Sequence, residues 1–525
     1  MRSDPIVGQR PASTFPPGFA VVTQYIPTRF EPACGTFLAL ALLACTGCGE
    51  SLTSAEPPSA AAPLGATTIP GVTPAVESKP ASTANVKPKG VDEGAIHRPT
   101  PRPDRVILTW VGDPSRSQAV TWRTDTSVVV GLAEIAAAGD NGQFVRRSRQ
   151  LKARTTPHKS DLSVAHYHSV EFGALVPSTK YAYRVGDGTN WTEWFHFTTA
   201  SDQPEPFSFI YFGDAQTELK SLWSRVIREA FADAPRARFL LHAGDLVNNS
   251  TKDAEWGEWF QAGGWLNAMI PSVPSPGNHE YQNAGLALKA SLTDFWRVQF
   301  TLPENGPSGL AESAYYMDYQ GVRIISLNSN ELQAEQAQWL DALLSHNPCR
   351  WTIITFHHPI YSAARARDNA KLRSQWQPIL DKYRVDLVLQ GHDHTYARSG
   401  MVDGQTSSAT TKNEPAGVTK QSESAGTVYV VSVSGPKMYD LDRPSRPQFQ
   451  RIAEDVQLFQ IITIEGDELH FQARTATGTP YDGFTLKKRP GRSNELIEQI
   501  PSVPQRLRPQ RPPAIPAPAL PEGGQ

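Results

Sequence analysis

The chain of 525 residues is poor in cysteine, carries no excess of either charge and contains almost no long apolar run. Its four cysteines are Cys34, Cys45, Cys48 and Cys349, three of them crowded near the N-terminus. So few, so unevenly placed, exclude a disulfide framework as the source of stability. Lys plus Arg number 50 and Asp plus Glu 52, for a formal net charge of −2. Such a balance lacks the global basic field that holds nucleic acid or an anionic membrane surface, so neither is expected as the main partner. The one strongly apolar run, FLALALLA at Phe37–Ala44, is too short to cross a bilayer as a helix. Hydrophobic residues make up a slightly low 39%, whereas proline is abundant at 44. Proline-rich segments flanking an ordinary globular body account for both figures.

The apolar run suits the core of a signal peptide. It ends in Leu42-Leu43-Ala44-Cys45, which resembles a bacterial lipobox and makes Cys45 the candidate lipidation site, with Cys48 the weaker one. Residues 1–36, with Arg2, Arg10 and Arg29 as their only cations, are long for the region ahead of such a core. A short buried helix is the plainer alternative, but the sequence that follows offers it nothing to pack against. The expectation is export to the periplasm or cell surface, with membrane contact only through this anchor. Residues 1–50 then form a signal or lipoprotein-type segment and 51–103 a Pro/Ala/Ser-rich linker. That linker has too little apolar surface to offset its ordering entropy.

Residues 104–200 read as all-β. Alternating runs at RVILTWV, QAVTWRT, HYHSVEF, KYAYRVG and EWFHFTT are separated by Gly, Pro, Asp and Asn. The phrase Leu175-Val176-Pro177-Ser178-Thr179-Lys180-Tyr181-Ala182-Tyr183-Arg184-Val185-Gly186 resembles a segment of fibronectin-III-like sandwiches. His166 and His168 alternate with Tyr167 on one of these strands and are expected to be ordinary strand residues. From 206 to 488 apolar strand-like runs alternate with helical stretches, an α/β layout whose ligands gather beyond the carboxyl ends of the strands. Residues 489–525 are again proline-rich and are expected to form a disordered tail.

Five polar motifs stand at strand ends or after them. FSFIYF runs into Gly213-Asp214-Ala215-Gln216, and ARFLLHA into Gly244-Asp245-Leu246-Val247-Asn248. IPSVPSP leads to Gly277-Asn278-His279-Glu280, RWTIITF to His357-His358-Pro359, and VDLVLQ to Gly391-His392-Asp393-His394. Each alone is better read as a turn, a capped loop or two strand residues. Five in one order, supplying carboxylate, amide oxygen and imidazole, form the mixed O/N set that suits Zn, Fe or Mn.

The order and content of these motifs resemble the calcineurin-like metallophosphoesterases, purple acid phosphatase branch, with Gly391-His392-Asp393-His394-Thr395-Tyr396-Ala397-Arg398 close to that family's G-H-x-H-x-Y-x-R. The resemblance implies a four-layer α/β sandwich of two mixed sheets flanked by helices, preceded by a small fibronectin-III-like sandwich. It implies two metal ions: Asp214, Asp245 and His394 at the first, and Asp245 as a bridge to the second with Asn278, His357 and His392. It implies hydrolysis of a phosphate ester by in-line attack of a metal-bound hydroxide, with Asp245 and His279 catalytic and His279 facing the phosphoryl group. Glu280 is placed to orient His279. His358, Arg365, Arg367, Tyr361 and Tyr396 are further candidates for substrate contact.

Two departures qualify the resemblance. The purple enzymes carry a tyrosinate where this chain has Asn248, so the colour is not expected. Wider relatives carry a histidine where this chain has Gln216. The first site is left with three firm ligands, open to an amide oxygen from Gln216 or Asn248, and losing an anionic ligand favours divalent over mixed-valence metal ions. A phosphomonoesterase is the leading expectation. A phosphodiesterase acting on cyclic nucleotides, nucleic-acid ends or phospholipid head groups is the alternative, and a surface-tethered binding protein with a degenerate metal core is the alternative of another class.

Overall fold

A computed structural model describes residues 90–282, 290–404, 426–442 and 449–509. The signal-type segment, Cys45 and most of the linker lie outside the described residues. No described helix is long and apolar enough to cross a membrane.

The N-terminal part holds β1 (Asp104–Thr109), β2 (Gln118–Thr124), β3 (Leu132–Ala137), β4 (Arg149–Lys152), β5 (Arg154–Lys159), β6 (Val164–Phe172), β7 (Lys180–Gly186) and β8 (Phe195–Thr198). They form two antiparallel sheets, ordered β1-β2-β6-β5 and β4-β3-β7-β8. Alternation sends Val120 and Trp122 of β2 into a core with Ile135, Phe172, Tyr183 and Phe197. The opposite face of β2 is covered as well, which is why the whole strand is buried. The hydroxyls of Thr121 and Thr301 share a hydrogen bond of 2.9 Å, and Arg123 and Arg105 both donate to the Asp253 carboxylate, at 3.2 and 2.7 Å. Asp253 opens the helix Asp253–Gly263 of the α/β part, so the sandwich is docked through a buried ionic cluster. His168 is fully buried, stacked on Trp122 and hydrogen-bonded to Thr124 and Thr155, the structural role expected of it.

The α/β part holds β9 (Phe207–Phe212), β10 (Leu240–His242), β11 (Ser272–Pro274), the short β12 (Tyr281–Gln282) and β13 (Ser291–Leu292), β14 (Tyr315–Tyr319), β15 (Val322–Ser326), β16 (Trp351–Phe356), β17 (Leu387–Gln390), β18 (Tyr396–Val402), β19 (Thr427–Val431), β20 (Phe449–Ala453), β21 (Leu458–Glu465), β22 (Glu468–Thr475), β23 (Pro480–Lys487) and β24 (Glu495–Glu498). Two mixed sheets result, ordered β11-β10-β9-β21-β22-β23-β24 and β14-β15-β16-β17-β19-β18-β20. Ile324, Ile353, Leu387, Leu389, Val428 and Val430 face the core between the sheets. Their neighbours Ile325, Ile354, Val388 and Tyr429 face outward under Leu340, Leu344, Trp376 and Leu380, from the helices Gln333–Ser345 and Ala370–Lys382. Strands buried on both faces read as continuous apolar runs, which is how they appear in the sequence.

Order extends past two expected boundaries. Within the expected linker, Glu93–Ile96 is a helical turn, the His97 carbonyl accepts from Arg123 at 3.1 Å, and the His97 ring fills the space left by the missing side chain of Gly257. Within the expected tail, β24 pairs antiparallel with β23, and Glu498 accepts from Arg398. The open edge of β23 offers unpaired backbone groups and Leu496 supplies apolar contact, so composition alone misjudges this stretch.

Candidate metal centre

Parallel strands β9, β10 and β11 in one sheet and β16 and β17 in the other point their carboxyl ends at the same place. An isolated bridge between Asp214 and Val433 joins the two sheets there. The five motifs therefore meet, although up to 180 positions of sequence separate their members.

Two groups of donor atoms emerge, each with its atoms within 4.8 Å of one another: a first of Asp214, Asp245 and His394, and a second of Asp245, His357 and His392. Asp245 is common to both. In the first group His394 Nε2 lies 3.1 Å from Asp214 Oδ2. In the second, Asn278 Oδ1 is 3.1 Å from His357 Nε2 and 2.9 Å from His392 Nδ1, and His357 Nε2 is 3.1 Å from Asp245 Oδ2.

The surroundings fit cations at both places. Asp214 Oδ2 is buried and has no hydrogen-bond partner. The rings of His357 and His394 donate from Nδ1 to the carbonyls of Ala243 and Lys437, at 2.9 and 2.8 Å, which leaves each Nε2 aimed inward. Burial disfavours a charged His357, but the carboxylates of Asp245 and Asp214 outweigh it and raise its pKa to about 9. A protonated imidazole there occupies the electrostatic place of a cation. Burial, then the Lys437 charge, lowers His394 to about 3, so this ring is an unprotonated donor.

Backbone conformation at the site is costly. Asp245, His392 and His394 all have φ in the left-handed region, at 50°, 74° and 50°. Such conformations cost about 1–3 kcal/mol each and persist where the surroundings over-determine them. A side chain at Gly277 would collide with Asp245, and one at Gly391 with Asp214, so these two glycines let the strand ends approach.

The other expected residues divide. His279 stands beside the groups, its Nε2 3.9 Å from Asp245 Oδ2 and its Nδ1 donating to the Asn248 carbonyl. Asn248 thus positions His279 through its backbone, with its exposed side chain offering no contact to either group. Glu280 does not orient His279. Fully buried, its carboxylate accepts from the backbone N–H of Asp245 and Leu246 at 2.9 Å and of Gly277 at 2.7 Å, tying together the two loops. Gln216 reaches the first group but turns the wrong way for an amide-oxygen ligand. Lys437 can only donate, so the Gln216 oxygen faces Lys437 Nζ at 3.1 Å and the NH₂ donates to Asp245 Oδ2 at 2.7 Å.

His358 packs against the His392 ring, hydrogen-bonded to Ser329. Arg365 is exposed, whereas Arg367 donates to the His392 carbonyl at 3.0 Å, so the nearer arginine is the later one. Tyr396 is fully buried and donates to Asp482 at 2.6 Å, and Tyr361 belongs to the core under the outer helices. Neither lines the centre, because strand alternation and helix packing turn them inward. Lys437, Tyr439 and Asp393 were not anticipated. Asp393 accepts from Ser362 at 2.7 Å and from the backbone of Ala363 at 3.0 Å, so the residue between the two histidines holds the loop that carries Arg367.

Residues 103–199 match the purple acid phosphatase N-terminal domain, and residues 207–396 match the calcineurin-like phosphoesterase domain. The chain is 27% identical over 321 residues to probable purple acid phosphatase 20 of Arabidopsis thaliana, covering 58% of this chain and 69% of that protein. It is 26% identical over 340 residues to acid phosphatase type 7 of Homo sapiens, covering 58% and 73%. Among solved structures, the purple acid phosphatase PPD1 from yellow lupin (Lupinus luteus) seeds shares the fold with a TM-score of 0.60 at 18% identity, over 74% of each chain. PhoD shares it with a TM-score of 0.56 at 14% identity, over 77% of this chain and 93% of that one.

Proposed function

The chain belongs to the calcineurin-like metallophosphoesterases of the purple acid phosphatase-like branch, and on that premise we propose that it hydrolyses phosphate monoesters at a dinuclear centre held by Asp214, Asp245, Asn278, His357, His392 and His394. The observation that carries this reading is the sharing of one carboxylate, Asp245, by two groups of donor atoms.

When bound, two such cations lower the pKa of water to give a nucleophile and offset charge on the phosphoryl oxygens. The chain's own residues supply the rest. Asp245 fixes the spacing of the two positions, and Glu280 fixes Asp245 by accepting its N–H. The Ala243 and Lys437 carbonyls select the histidine tautomers that can ligate. His279, held through Nδ1 by Asn248, presents Nε2 to the substrate side and in its protonated form gives that proton to the leaving alkoxide.

The metal ions are divalent, Mn, Fe(II) or Zn, on this reading. The first group has neither tyrosinate nor a second imidazole, and the Gln216 oxygen is turned away. Purified protein should be colourless. The test is turnover of p-nitrophenyl phosphate and bis-p-nitrophenyl phosphate after chelation and separate readdition of Mn, Fe, Zn and Mg. Preference for the monoester is expected, and strong preference for the diester would sink the proposal. The apolar run ending at Cys45 further supports export and lipid anchoring of this activity, and recovery of the full-length protein in the cytoplasmic fraction would exclude that.

A further inference from the structure

After β19 the chain passes against the first donor group. Ser434 and Gly435 donate to the Asp214 carbonyl at 3.0 and 2.6 Å, and the Lys437 carbonyl accepts from His394 Nδ1. Lys437 is thereby fixed against the first donor group. Among the described residues its half-buried side chain makes one hydrogen bond, to Gln216 Oε1 at 3.1 Å, and Gln216 in turn donates to the shared carboxylate of Asp245. No carboxylate among the described residues forms an ion pair with Lys437.

That is an unexpected place for a cation. Asp214 and Asp245 are the only carboxylates among the expected ligands, so two divalent ions leave the centre net positive before Lys437 adds its charge. An ammonium so placed repels a metal in the first position. It is tolerated if an anion with several charged oxygens bridges it and the metals. Lys437 has three rotatable donors and Gln216 takes one of them. The Tyr439 ring packs on His394 at 4.6 Å, with Lys437 Nζ 5.6 Å and Arg367 Cζ 4.9 Å from its centroid. Arg367 leans on His392 of the second group, so one cation attends each metal position.

We propose that Lys437 is a specificity-determining residue: its ammonium binds a terminal oxygen of a phosphate monoester dianion beside the first metal position, in place of a further metal ligand. A diester has an esterified oxygen and one charge fewer at phosphorus, so it gains less from this contact. The inference rests on the phosphoesterase reading above.

The test compares wild type with Lys437→Met and Lys437→Arg. Calorimetry measures inorganic phosphate binding to the metal-loaded protein and Mn²⁺ binding to the metal-free protein. Steady-state kinetics give kcat/KM for p-nitrophenyl phosphate and its bis ester. Lys437→Met should weaken phosphate binding by about ten- to hundredfold, the worth of one charge-assisted hydrogen bond. It should lower the monoester-to-diester ratio of kcat/KM by a similar factor while first-site Mn²⁺ binding holds or tightens, and Lys437→Arg should restore part of the ratio. Opposite movement of phosphate and Mn²⁺ affinity is a signature that a merely structural role would not give. Parallel loss of both affinities, or an unchanged ratio in an active enzyme, overturns the role of Lys437 alone. A wild type that binds Mn²⁺ yet cleaves neither ester overturns the phosphoesterase reading with it.

Discussion

The two donor groups share Asp245 but are built differently around it. The second gathers Asn278, His357 and His392, an amide and two imidazoles from three strand ends, with Arg367 outside. The first gathers Asp214 and His394, with Gln216 presenting its NH₂ to Asp245 and its oxygen to Lys437. One position is thus a closed set of ligands. The other, on the proposal above, trades a ligand for a cation that the substrate can meet. On that proposal, a metal position and an anion subsite are made from the same few residues, according to which atom of one amide faces in.

The comparison breaks most completely at Asp245. Asp245→Asn should remove both metals and take activity down by more than about 100-fold, beyond the 10–100-fold typical of an outer partner of a ligand. Metal analysis and turnover check this, and a fully active variant would refute the shared role. The groups should then separate under single changes. His394→Ala should keep the second-position metal and His357→Ala should not, because only His394 is confined to the first group. Metal content per chain, measured after dialysis without chelator, distinguishes them, and equal losses would erase the asymmetry.

Glu280→Gln should weaken metal binding at both positions together, by about 10–100-fold, because an NH₂ would face backbone N–H groups of Asp245, Leu246 and Gly277. Loss at one position only would contradict that account. The smallest effect lies away from the centre, in the sandwich. Burial, with a contribution from His166, lowers His168 to about 4, against 6.5 for the free side chain. The unfolded chain therefore binds the extra proton first, and stability present above pH 6.5 is lost as pH falls toward 4. Thermal melts of metal-free protein against pH should show this slope, flattened in His168→Asn. A slope unchanged by that substitution would assign the acid sensitivity to the metal centre instead.

Much of the architecture was legible because it depends on short-range pattern. Strands buried on both faces gave FSFIYF, RWTIITF and VDLVLQ as continuous apolar runs, and a small residue followed by a donor marked their ends. What failed was side-chain direction. Tyr396 and Tyr361 carry the right chemistry near the right motifs, yet strand alternation and helix packing point them into the core. Glu280 follows His279 in sequence but its carboxylate turns back to the Asp245 loop. Arg365 and Arg367 look equivalent in the sequence, and the Asp393-held loop brings only Arg367 to His392. Residues 495–498 read as tail because their partner, the open edge of β23, is a tertiary object.

Sequence alone laid out five polar motifs in order along the chain, the α/β body that carries them and the β sandwich ahead of it. Those follow from periodicity and residue chemistry, which are local. Tertiary structure alone decided that Gln216 faces Asp245 with nitrogen rather than oxygen, and that Lys437, 221 positions further on, dictates that choice. An amide has two ends of opposite hydrogen-bonding sense, and only the neighbours brought by the fold select which end looks at the metal.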